Sequence, residues 1–352
     1  MTRPDDAPDR TRHDSPRPVL LGPNQPIRRP YHGGAGIARL RGLEHVRDDV
    51  PEDFIGSTTE VASGGGVGLT VMPDGRTLRE HIRLDPEAYL GPRHVAAFGA
   101  EPALLVKVLD TAERLFVHFH PDDAFANRHL GSRFGKTEAW YVIDGVGEAF
   151  LGFNRQVDPD EVASWVARQD VDAMLASLNR IPIGPGDSLL VPGGVPHAIG
   201  AGITLVELQE PTDFSILLEW TGYPIGPDDG HLGLGFDTAL TALDRSGWDA
   251  DRLADLSARR TSPTGGTRLF PPEADPFFRG EHVVAPVTFP AAYSLLVVLA
   301  GQGELVWRAD RLALRRGSVV LVPYAAGDIE LTGTLQAVRC QPPDPAQRPG
   351  AN

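Results

Sequence analysis

The sequence predicts a mainly β protein made of two barrel-like units, with a helical insertion in the first. Three observations support this fold class. The 39 glycines and 32 prolines among 352 residues disfavour long helices and favour short strands joined by turns. Apolar stretches of strand length recur along the chain between such turns. The strand spacing of the first unit is repeated near the C-terminus, which indicates an internal duplication.

The elements of the first unit follow in order along the chain. Residues 1–18 are polar and proline-rich, so we expect a disordered tail that cannot bury enough apolar surface to fold. The first unit is predicted to span residues 19–262, with strands at 103–110, 114–120, 137–144, 188–192 and 202–209. Helical periodicity places an insertion near 158–180, which begins at Asp158 and Pro159, and further helices near 235–260.

The second unit begins after the turn-forming segment TSPTGG at 261–266. We predict that it spans residues 263–342 and is again composed of strands and turns, followed by a disordered tail at 343–352. Its only histidine is His282, and it contains no His-x-His pair. We therefore expect the second unit to hold no metal and to have a structural role.

The composition excludes several functional classes. The 33 Lys and Arg residues against 47 Asp and Glu residues give a net charge of −14, which disfavours nucleic-acid binding because a basic face is missing. The single cysteine, Cys340, excludes an internal disulfide framework and a Cys-rich zinc site. Without an apolar signal-peptide core or an apolar run of about 18 residues, we expect a cytoplasmic protein that contacts no membrane and is a monomer or homodimer.

The segment His118-Phe119-His120 is the first indication of a metal site. Residues i and i+2 of a strand project to the same side, roughly 6.6 Å apart, so both imidazoles can reach one ion. Two polar residues on a half-exposed strand are the alternative interpretation. Glu138 at the start of another strand, and His197 at the end of a GxxxxxPxGxxH pattern from Gly186, favour the metal. Together these motifs resemble those of the cupin superfamily, in which three histidines and one glutamate surround a metal inside a β-barrel.

Further strings resemble the class I mannose-6-phosphate isomerase family. They are HPDDAFA at 120–126, GKTEAWYVID at 135–144, IPIGPGD at 181–187, VPHAIGAG at 195–202 and VELQEPTDF at 206–214. The resemblance extends to RPYHGG at 29–34 and IGSTTEVAS at 55–63, and so covers nearly the whole chain. It implies a bicupin fold, one Zn²⁺ ion held by His118, His120, Glu138 and His197, and interconversion of an aldose phosphate and a ketose phosphate through an enediol.

Lysine usage points to residues that contact the substrate. Of the 33 basic residues only Lys107 and Lys136 are lysines, and both lie beside the predicted metal site. Because burial readily shifts the pKa of a lysine, we predict Lys136 as a catalytic proton-transfer group and Lys107 as a substrate contact. Chance placement in an arginine-biased sequence is the alternative. The polar loop adds four candidates for binding the sugar: Asp122, Asp123, Arg128 and Arg133.

Two positions depart from the family pattern. His118 stands where the family has a glutamine, which preserves a metal ligand. Leu217 stands where the family has an arginine that works in the active site, so a guanidinium is missing there. The resemblance as a whole implies the interconversion of mannose 6-phosphate and fructose 6-phosphate, and this is the expected activity. The alternatives are isomerisation of another sugar, including an unphosphorylated one, or a cupin that senses a sugar or sugar phosphate without catalysis. A redox cupin is disfavoured by the isomerase-like strings.

Overall fold

A computed structural model describes residues 15–44, 46–258 and 266–347 of the chain. The predicted tails therefore lie outside the described residues at positions 1–14 and 348–352. Residues 343–347, predicted as tail, are described: Pro343 is buried, and the Asp344 amide donates to the Asp275 carbonyl at 3.2 Å. The ordered chain thus extends further toward the C-terminus than the composition predicted.

Strands account for most of the regular structure, and the prediction of a mainly β protein is confirmed. Before residue 259 the strands are β1 (Val19–Leu20), β2 (Glu52–Ile55), β3 (Leu105–Asp110), β4 (His118–Phe119), β5 (Glu138–Asp144), β6 (Gly147–Phe153), β7 (Leu178–Ile183), β8 (Ser188–Val191), β9 (His197–Ile199), β10 (Thr204–Gln209), β11 (Ile216–Leu217) and β12 (Ser257–Ala258). After residue 265 they are β13 (Thr267–Arg268), β14 (Arg279–Val284), β15 (Val287–Phe289), β16 (Ser294–Ala300), β17 (Gln302–Trp307), β18 (Asp310–Arg315), β19 (Val319–Val322), β20 (Ile329–Leu331) and β21 (Gln336–Gln341).

The helices are short and lie in the first part of the chain. They are α1 (Gly36–Arg41), α2 (Leu78–Leu84), α3 (Pro86–Leu90), α4 (Pro92–Phe98), α5 (Asp123–Phe125), which continues as a π-helical turn (Ala126–Leu130), α6 (Pro159–Arg168), α7 (Val171–Ala176), α8 (Phe236–Ala239) and α9 (Ala250–Asp255). Helices α6 and α7 fall inside the range 158–180, and Pro159 occupies the first turn of α6 as its fixed backbone angle favours. Among the described residues no helix is long and apolar enough to cross a membrane.

The strands form four sheets, two in each half of the chain, and we refer to each pair of sheets as a barrel. The N-terminal barrel consists of a sheet with the order β12-β8-β5-β10-β3-β2 and a sheet with the order β11-β4-β9-β6-β7. The C-terminal barrel consists of the sheets β1-β19-β16-β21-β14-β13 and β15-β20-β17-β18. Strand β1 pairs antiparallel with β19. The segment at 19–20, which we predicted to belong to the first unit, therefore lies in the sheet of the second.

The two six-stranded sheets pack against each other through their outer faces. Val106 and Val108 of β3 belong to the same buried apolar cluster as Leu295 of β16 and Val338 of β21. Gly56 approaches this interface so closely that a Cβ atom there would lie 2.4 Å from a methyl carbon of Leu295. Since alternate residues of a strand point to opposite faces, the residues between these valines point into the N-terminal barrel. The polar side chains inside that barrel form the candidate site.

Candidate metal centre and barrel cavity

Three histidines converge at one end of the N-terminal barrel. His118 lies on β4 and His197 opens β9, and the two residues are directly paired between the antiparallel strands. His120 follows β4, two residues after His118, so it projects to the same side. The turn after β8 delivers His197 to this position: Gly194 has a φ of +88°, and a Cβ at Gly193 would lie 2.8 Å from the Asp122 Cα. A side chain at Gly193 would push the segment after His120 away from this turn, and a side chain at Gly194 would be strained by the positive φ.

Each of the three imidazoles is oriented by a main-chain carbonyl. The Nδ1 atoms of His118, His120 and His197 lie 2.9, 2.8 and 2.8 Å from the carbonyl oxygens of Phe116, Phe214 and Val195 respectively. A carbonyl only accepts hydrogen bonds, so each Nδ1 carries the proton and each Nε2 keeps a lone pair. One ligand nitrogen from each ring lies within 4.8 Å of the others, and all three rings are buried. The cluster can therefore hold a metal ion.

Glu138 borders the histidine cluster from β5. Its Oε2 lies 3.0 Å from the His120 Nε2, and its Oε1 lies 3.3 Å from the His197 Nε2. The indole of Trp140 donates to the same Oε1 at 3.0 Å and so orients the carboxylate. The His197 Nε2 is buried without a hydrogen-bond partner among the described residues. An uncommitted, buried nitrogen lone pair beside a carboxylate fits a bound cation.

Lys136 points into the same cluster. Its Nζ lies 3.1 Å from the His120 Nε2 and 3.2 Å from the Glu138 Oε2, and its side chain is buried. Burial favours the protonated acid of Glu138, but the charge of Lys136 outweighs it and holds the pKa of Glu138 well below its usual range. Burial together with the charge of Lys136 lowers the pKa of His120 to about 3. The end of the barrel thus presents a neutral His120 imidazole and a charged Glu138 carboxylate, which are the states in which these groups bind metals.

A small cavity extends from this cluster into the barrel, and charged side chains line it. Lys107 on β3 lies 3.6 Å from the Glu52 Oε1 and 3.4 Å from the Glu207 Oε1, measured from its Nζ. Tyr31 donates its hydroxyl to the Glu52 Oε1 at 2.8 Å. At the rim, Arg29 pairs with Glu52 and with Asp213, at 2.5 and 3.3 Å. The cavity is therefore a network of alternating positive and negative groups.

The network fixes the charges of its members. Burial disfavours the charged form of Lys107, but Glu52 and Glu207 outweigh it and raise the pKa of this lysine. Burial, reinforced by the charge of Glu138, raises the pKa of Glu207. Lys107 is therefore a permanent cation, whereas Glu207 is a cavity carboxyl group that takes up a proton more readily than an ordinary glutamate.

The structure places the predicted site residues in two different places. His118, His120, Glu138, His197, Lys136 and Lys107 lie together around the barrel cavity. Asp122, Asp123, Arg128 and Arg133 line a separate cleft, between the loop after β4 and the C-terminal barrel, which shares no lining residue with the cavity. Arg133 stacks on Phe98 and Phe134 there, and Asp122 accepts a hydrogen bond from the Phe125 amide as the cap of α5. The four loop residues are not brought to the metal cluster.

Asp123 acts on the site through the backbone. Its Oδ1 accepts the Gly135 amide at 2.8 Å, and Glu210 accepts the Thr137 amide at 2.7 Å. The two carboxyl groups thus bind the residues on either side of Lys136. Burial and a hydrogen bond with Asp123 raise the pKa of Glu210 well above its usual range, so Glu210 holds a proton more readily than an ordinary glutamate. The segment that carries Lys136 is held in place from the cleft side.

The sequence analysis missed the acidic and arginine residues of the cavity wall. Arg29, Glu52, Glu207 and Asp213 come from segments far apart in the chain, and no local spacing connects them. One signal was available for Glu207: a charged residue inside the apolar run LVEL of a predicted strand indicates an inward position in a barrel. The position of Arg29 depends on the path of the N-terminal segment and has no such signal.

Comparisons with known proteins agree on one family. The chain is 38% identical over 246 residues to mannose-6-phosphate isomerase ManA of Bacillus subtilis, covering 67% of this chain and 73% of that protein. It is 29% identical over 305 residues to mannose-6-phosphate isomerase of Streptococcus mutans, covering 82% and 89% respectively. The chain belongs to the mannose-6-phosphate isomerase family. No protein-family model matches the chain.

Solved structures show the same fold. The mannose 6-phosphate isomerase of Bacillus subtilis superposes with a TM-score of 0.69 at 21% identity, over 93% of this chain and all of that one. A phosphomannose isomerase variant from Salmonella typhimurium gives a TM-score of 0.71 at 14% identity, over 94% of this chain and all of that one. The overall fold is therefore shared with solved structures of mannose-6-phosphate isomerases.

Leu217, the position predicted to depart from the family pattern, faces the candidate site. It pairs directly with His118 across β11 and β4, so both side chains point to the barrel interior. Leu217 is buried and belongs to the apolar cluster of that interior. Arg29 brings a guanidinium to the cavity at the end of the Glu52 and Lys107 network.

The His197→Ala variant tests the metal centre. Removing one of three converging nitrogens should lower the affinity for zinc by more than about a hundredfold, beyond the effect of losing an outer partner of a ligand. The measurement is metal content after dialysis, combined with calorimetric zinc titration. His32→Ala is the control, because His32 is exposed and pairs only with Glu113 among the described residues. Unchanged zinc affinity in His197→Ala would show that the histidine cluster is not a metal site.

The Glu210→Gln variant tests the raised pKa of Glu210, the residue that binds the Thr137 amide next to Lys136. In the folded protein Glu210 keeps its proton at pH values where the unfolded chain has released it, so the stability it contributes is lost as pH rises above about 4.5. A glutamine donates to Asp123 without this loss. The variant should therefore melt at least about 2 °C above the wild type at pH 8, with a smaller difference at pH 5. An offset that is the same at both pH values contradicts the interpretation, and Glu330→Gln on the exposed side of β20 is the control.

Proposed function

We propose that this protein is a metal-dependent isomerase that interconverts mannose 6-phosphate and fructose 6-phosphate. The observation that carries the proposal is the convergence of three buried imidazole Nε2 atoms, a carboxylate and a lysine ammonium at the end of one barrel. The sequence relationship to mannose-6-phosphate isomerases supports the reaction type and the sugar phosphate. We include in the proposal the cytoplasmic location and the monomeric or homodimeric state expected from the sequence.

The donor set selects the class of metal. His118, His120 and His197 with Glu138 would hold the ion, and three imidazoles with one carboxylate favour zinc or another divalent transition metal over magnesium or calcium. We propose zinc. When bound, the metal supplies Lewis-acid stabilisation of negative charge on the substrate oxygens. The carbonyls bonded to the three Nδ1 atoms keep the ligand nitrogens aimed inward throughout the reaction.

Two groups of the chain can move the proton between C1 and C2 of the sugar. Lys136 carries its ammonium group at the metal cluster, within 3.2 Å of Glu138. Glu207 lies beside Lys107 on β10, the strand next to β5 in the same sheet, and its raised pKa favours proton uptake. We assign the proton transfer to Lys136, with Glu207 as a carboxyl group of the same sheet that can accept or return a proton. Lys107 stays charged and contributes positive potential when negative charge develops on the sugar.

Arg29 is our candidate for the phosphate contact. Its side chain is 19% exposed at the cavity rim, whereas that of Lys107 is 2% exposed, so Arg29 is the cation that solvent and a substrate phosphate meet first. A guanidinium binds phosphate through two parallel hydrogen bonds. Asp213 and Glu52 hold Arg29 in place before the substrate arrives. We propose that Arg29 takes over the electrostatic role that Leu217 cannot perform.

The second candidate function is isomerisation of an unphosphorylated sugar. The apolar Leu217 beside His118 favours it, because the family arginine is absent from the position nearest the metal ligands. A third, a cupin that senses a sugar phosphate without turnover, leaves the buried Lys136 at the cluster without a role. Parallel assays with mannose 6-phosphate and with free mannose separate the first two functions, and binding without turnover identifies the third.

The Lys136→Met variant tests the catalytic assignment. In metal-loaded protein incubated with mannose 6-phosphate, we expect formation of fructose 6-phosphate, loss of turnover with a chelator, and a fall in kcat of about 10²–10⁴-fold in the variant. Zinc content must remain that of the wild type, so that the loss reflects proton transfer. Arg311→Met, at an exposed position of β18, serves as the control. Wild-type protein that binds the sugar phosphate without converting it would refute the isomerase function.

The Arg29→Met variant tests the phosphate contact. We expect KM for mannose 6-phosphate to rise about tenfold or more, because a charge-assisted pair is lost, while kcat changes less. The neighbouring Arg28→Met is a matched control, since Arg28 is exposed on the same segment. Melting temperatures of both variants reveal any destabilisation from Glu52 and Asp213 losing their partner. A KM equal to that of the wild type in Arg29→Met would place the phosphate elsewhere.

A further inference from the structure

The C-terminal barrel contains a second charged cavity, far from the metal ligands in the sequence. It lies between the end of that barrel and the segment joining α3 to α4. The residues that define it are Arg93, Arg279, Glu281, Phe289, Tyr293 and Arg339. Arg339 and Glu281 lie opposite each other on β21 and β14. Asp344 is the other acidic residue in the lining, so three guanidinium groups face two carboxylates in a chain whose net charge is −14.

This cavity occupies the position that the candidate active site occupies in the N-terminal barrel. Strands β8, β5, β10 and β3 of one sheet correspond to β19, β16, β21 and β14 of the other, in the same order. In the first sheet Glu207 pairs with Trp140 on one side and with Lys107 on the other. In the second sheet Arg339 pairs with Leu296 and with Glu281 in the same way. The cross-strand ion pair is retained, with its two charges exchanged.

The metal ligands are not retained in the second cavity. Glu138 pairs with Val191 at the end of β8, and Ser294 pairs with Val322 at the end of β19, so Ser294 stands where the carboxylate ligand would be. The two cavities therefore offer different binding groups. The N-terminal cavity offers a carboxylate and the histidine cluster, whereas the C-terminal cavity offers a guanidinium at the corresponding end of the sheet.

The side chain of Arg339 is buried and fixed by two neighbours, and part of its hydrogen-bonding capacity is unused. It is 5% exposed, its guanidinium carbon lies 4.2 Å from the centre of the Phe289 ring, and its Nη1 donates to the Glu281 Oε2 at 3.2 Å. Its Nε is buried without a hydrogen-bond partner among the described residues. A buried guanidinium that uses only part of its five donors is costly unless another acceptor completes it.

A second buried donor in the same lining lacks a partner. The hydroxyl of Tyr293, a residue 3% exposed, makes no hydrogen bond among the described residues. Arg279 approaches from the rim, where its Nε donates to the Pro342 carbonyl at 3.1 Å. Two buried donors of the lining, the Arg339 Nε and the Tyr293 hydroxyl, thus lack partners among the described residues, and three guanidinium groups against two carboxylates leave a positive excess. Both imbalances are corrected by a ligand that carries negative oxygen atoms.

We propose that the C-terminal barrel binds a small oxyanion, a metabolite carrying a phosphate or carboxylate group, with Arg339 as its anchor. Arg279 completes the charge from the rim, and the Tyr293 hydroxyl donates to the same oxygen atoms. The guanidinium fork of Arg339 fits one such group, because it can bind an oxyanion through two parallel hydrogen bonds. This site does not depend on the isomerase activity of the N-terminal barrel.

The test is calorimetric titration of the metal-loaded, full-length protein with two probes, inorganic phosphate and malonate. We expect the wild type to bind at least one probe, and Arg339→Met to weaken that binding by about tenfold or more. Arg279→Met should weaken it as well. Arg311→Met controls for loss of an arginine elsewhere in the C-terminal barrel, and Arg29→Met controls for binding in the N-terminal cavity. Both controls should keep the affinity that Arg339→Met loses.

The outcomes separate clearly. Binding of phosphate alone assigns a phosphate group to the ligand, and binding of malonate alone assigns a carboxylate. If circular dichroism shows that Arg339→Met is unfolded, Arg279→Met decides, because Arg279 is only half-buried at the rim. Absence of binding by either probe at millimolar concentrations overturns the proposal. So does binding that is lost only in Arg29→Met, which would locate the anion in the N-terminal cavity.

Discussion

The hydrogen bonds from three imidazole Nδ1 atoms to main-chain carbonyls are the constraint on which the site depends. Two of the carbonyls, those of Phe116 and Val195, lie two residues before their histidines, so the strands themselves set those rings. The third carbonyl belongs to Phe214, in the loop after β10. That loop also carries Asp213, which pairs with Arg29 at the cavity rim. The orientation of a metal ligand and the position of the rim arginine are therefore set by one loop.

The ion network inside the barrel is better explained by function than by stability. Burying Arg29, Glu52, Lys107 and Glu207 requires each charge to be paired, and such pairs repay little more than the cost of removing them from water. An apolar filling of the barrel would fold at least as well. The charges are useful when a polar substrate enters, because fixed, water-excluded groups then act without reorganisation. Removal of one member would leave a neighbouring buried charge without its partner, so each charge of the network depends on the others.

The sequence predicted what local patterns encode. The mainly β class, the metal-ligand candidates His118, His120 and His197, and the neighbouring Lys136 follow from spacing within single strands and turns. The position of Arg29 and the pairing of β1 with β19 depend on the path of the chain through space, which no spacing records. The loop residues Asp122 and Arg133 line a cleft that shares no lining residue with the cavity, which their nearness in sequence to His120 and Lys136 did not indicate, and their contact with the sugar stays a prediction. The side chains of one polar loop can line either the cavity or the cleft, and only the folded structure shows which.

Packing alone does not account for the C-terminal unit. Its outer face covers the apolar outer face of the N-terminal sheet, where Val106 and Leu295 share one core, and this burial is reason enough to retain the strands. It gives no reason to retain an ion pair inside the second barrel. Arg339 and Glu281 point away from the shared core, and an apolar pair would fill that space at lower cost. A charge kept in an interior that stability does not require, beside the unpartnered hydroxyl of Tyr293, is the feature that binding of an anion explains.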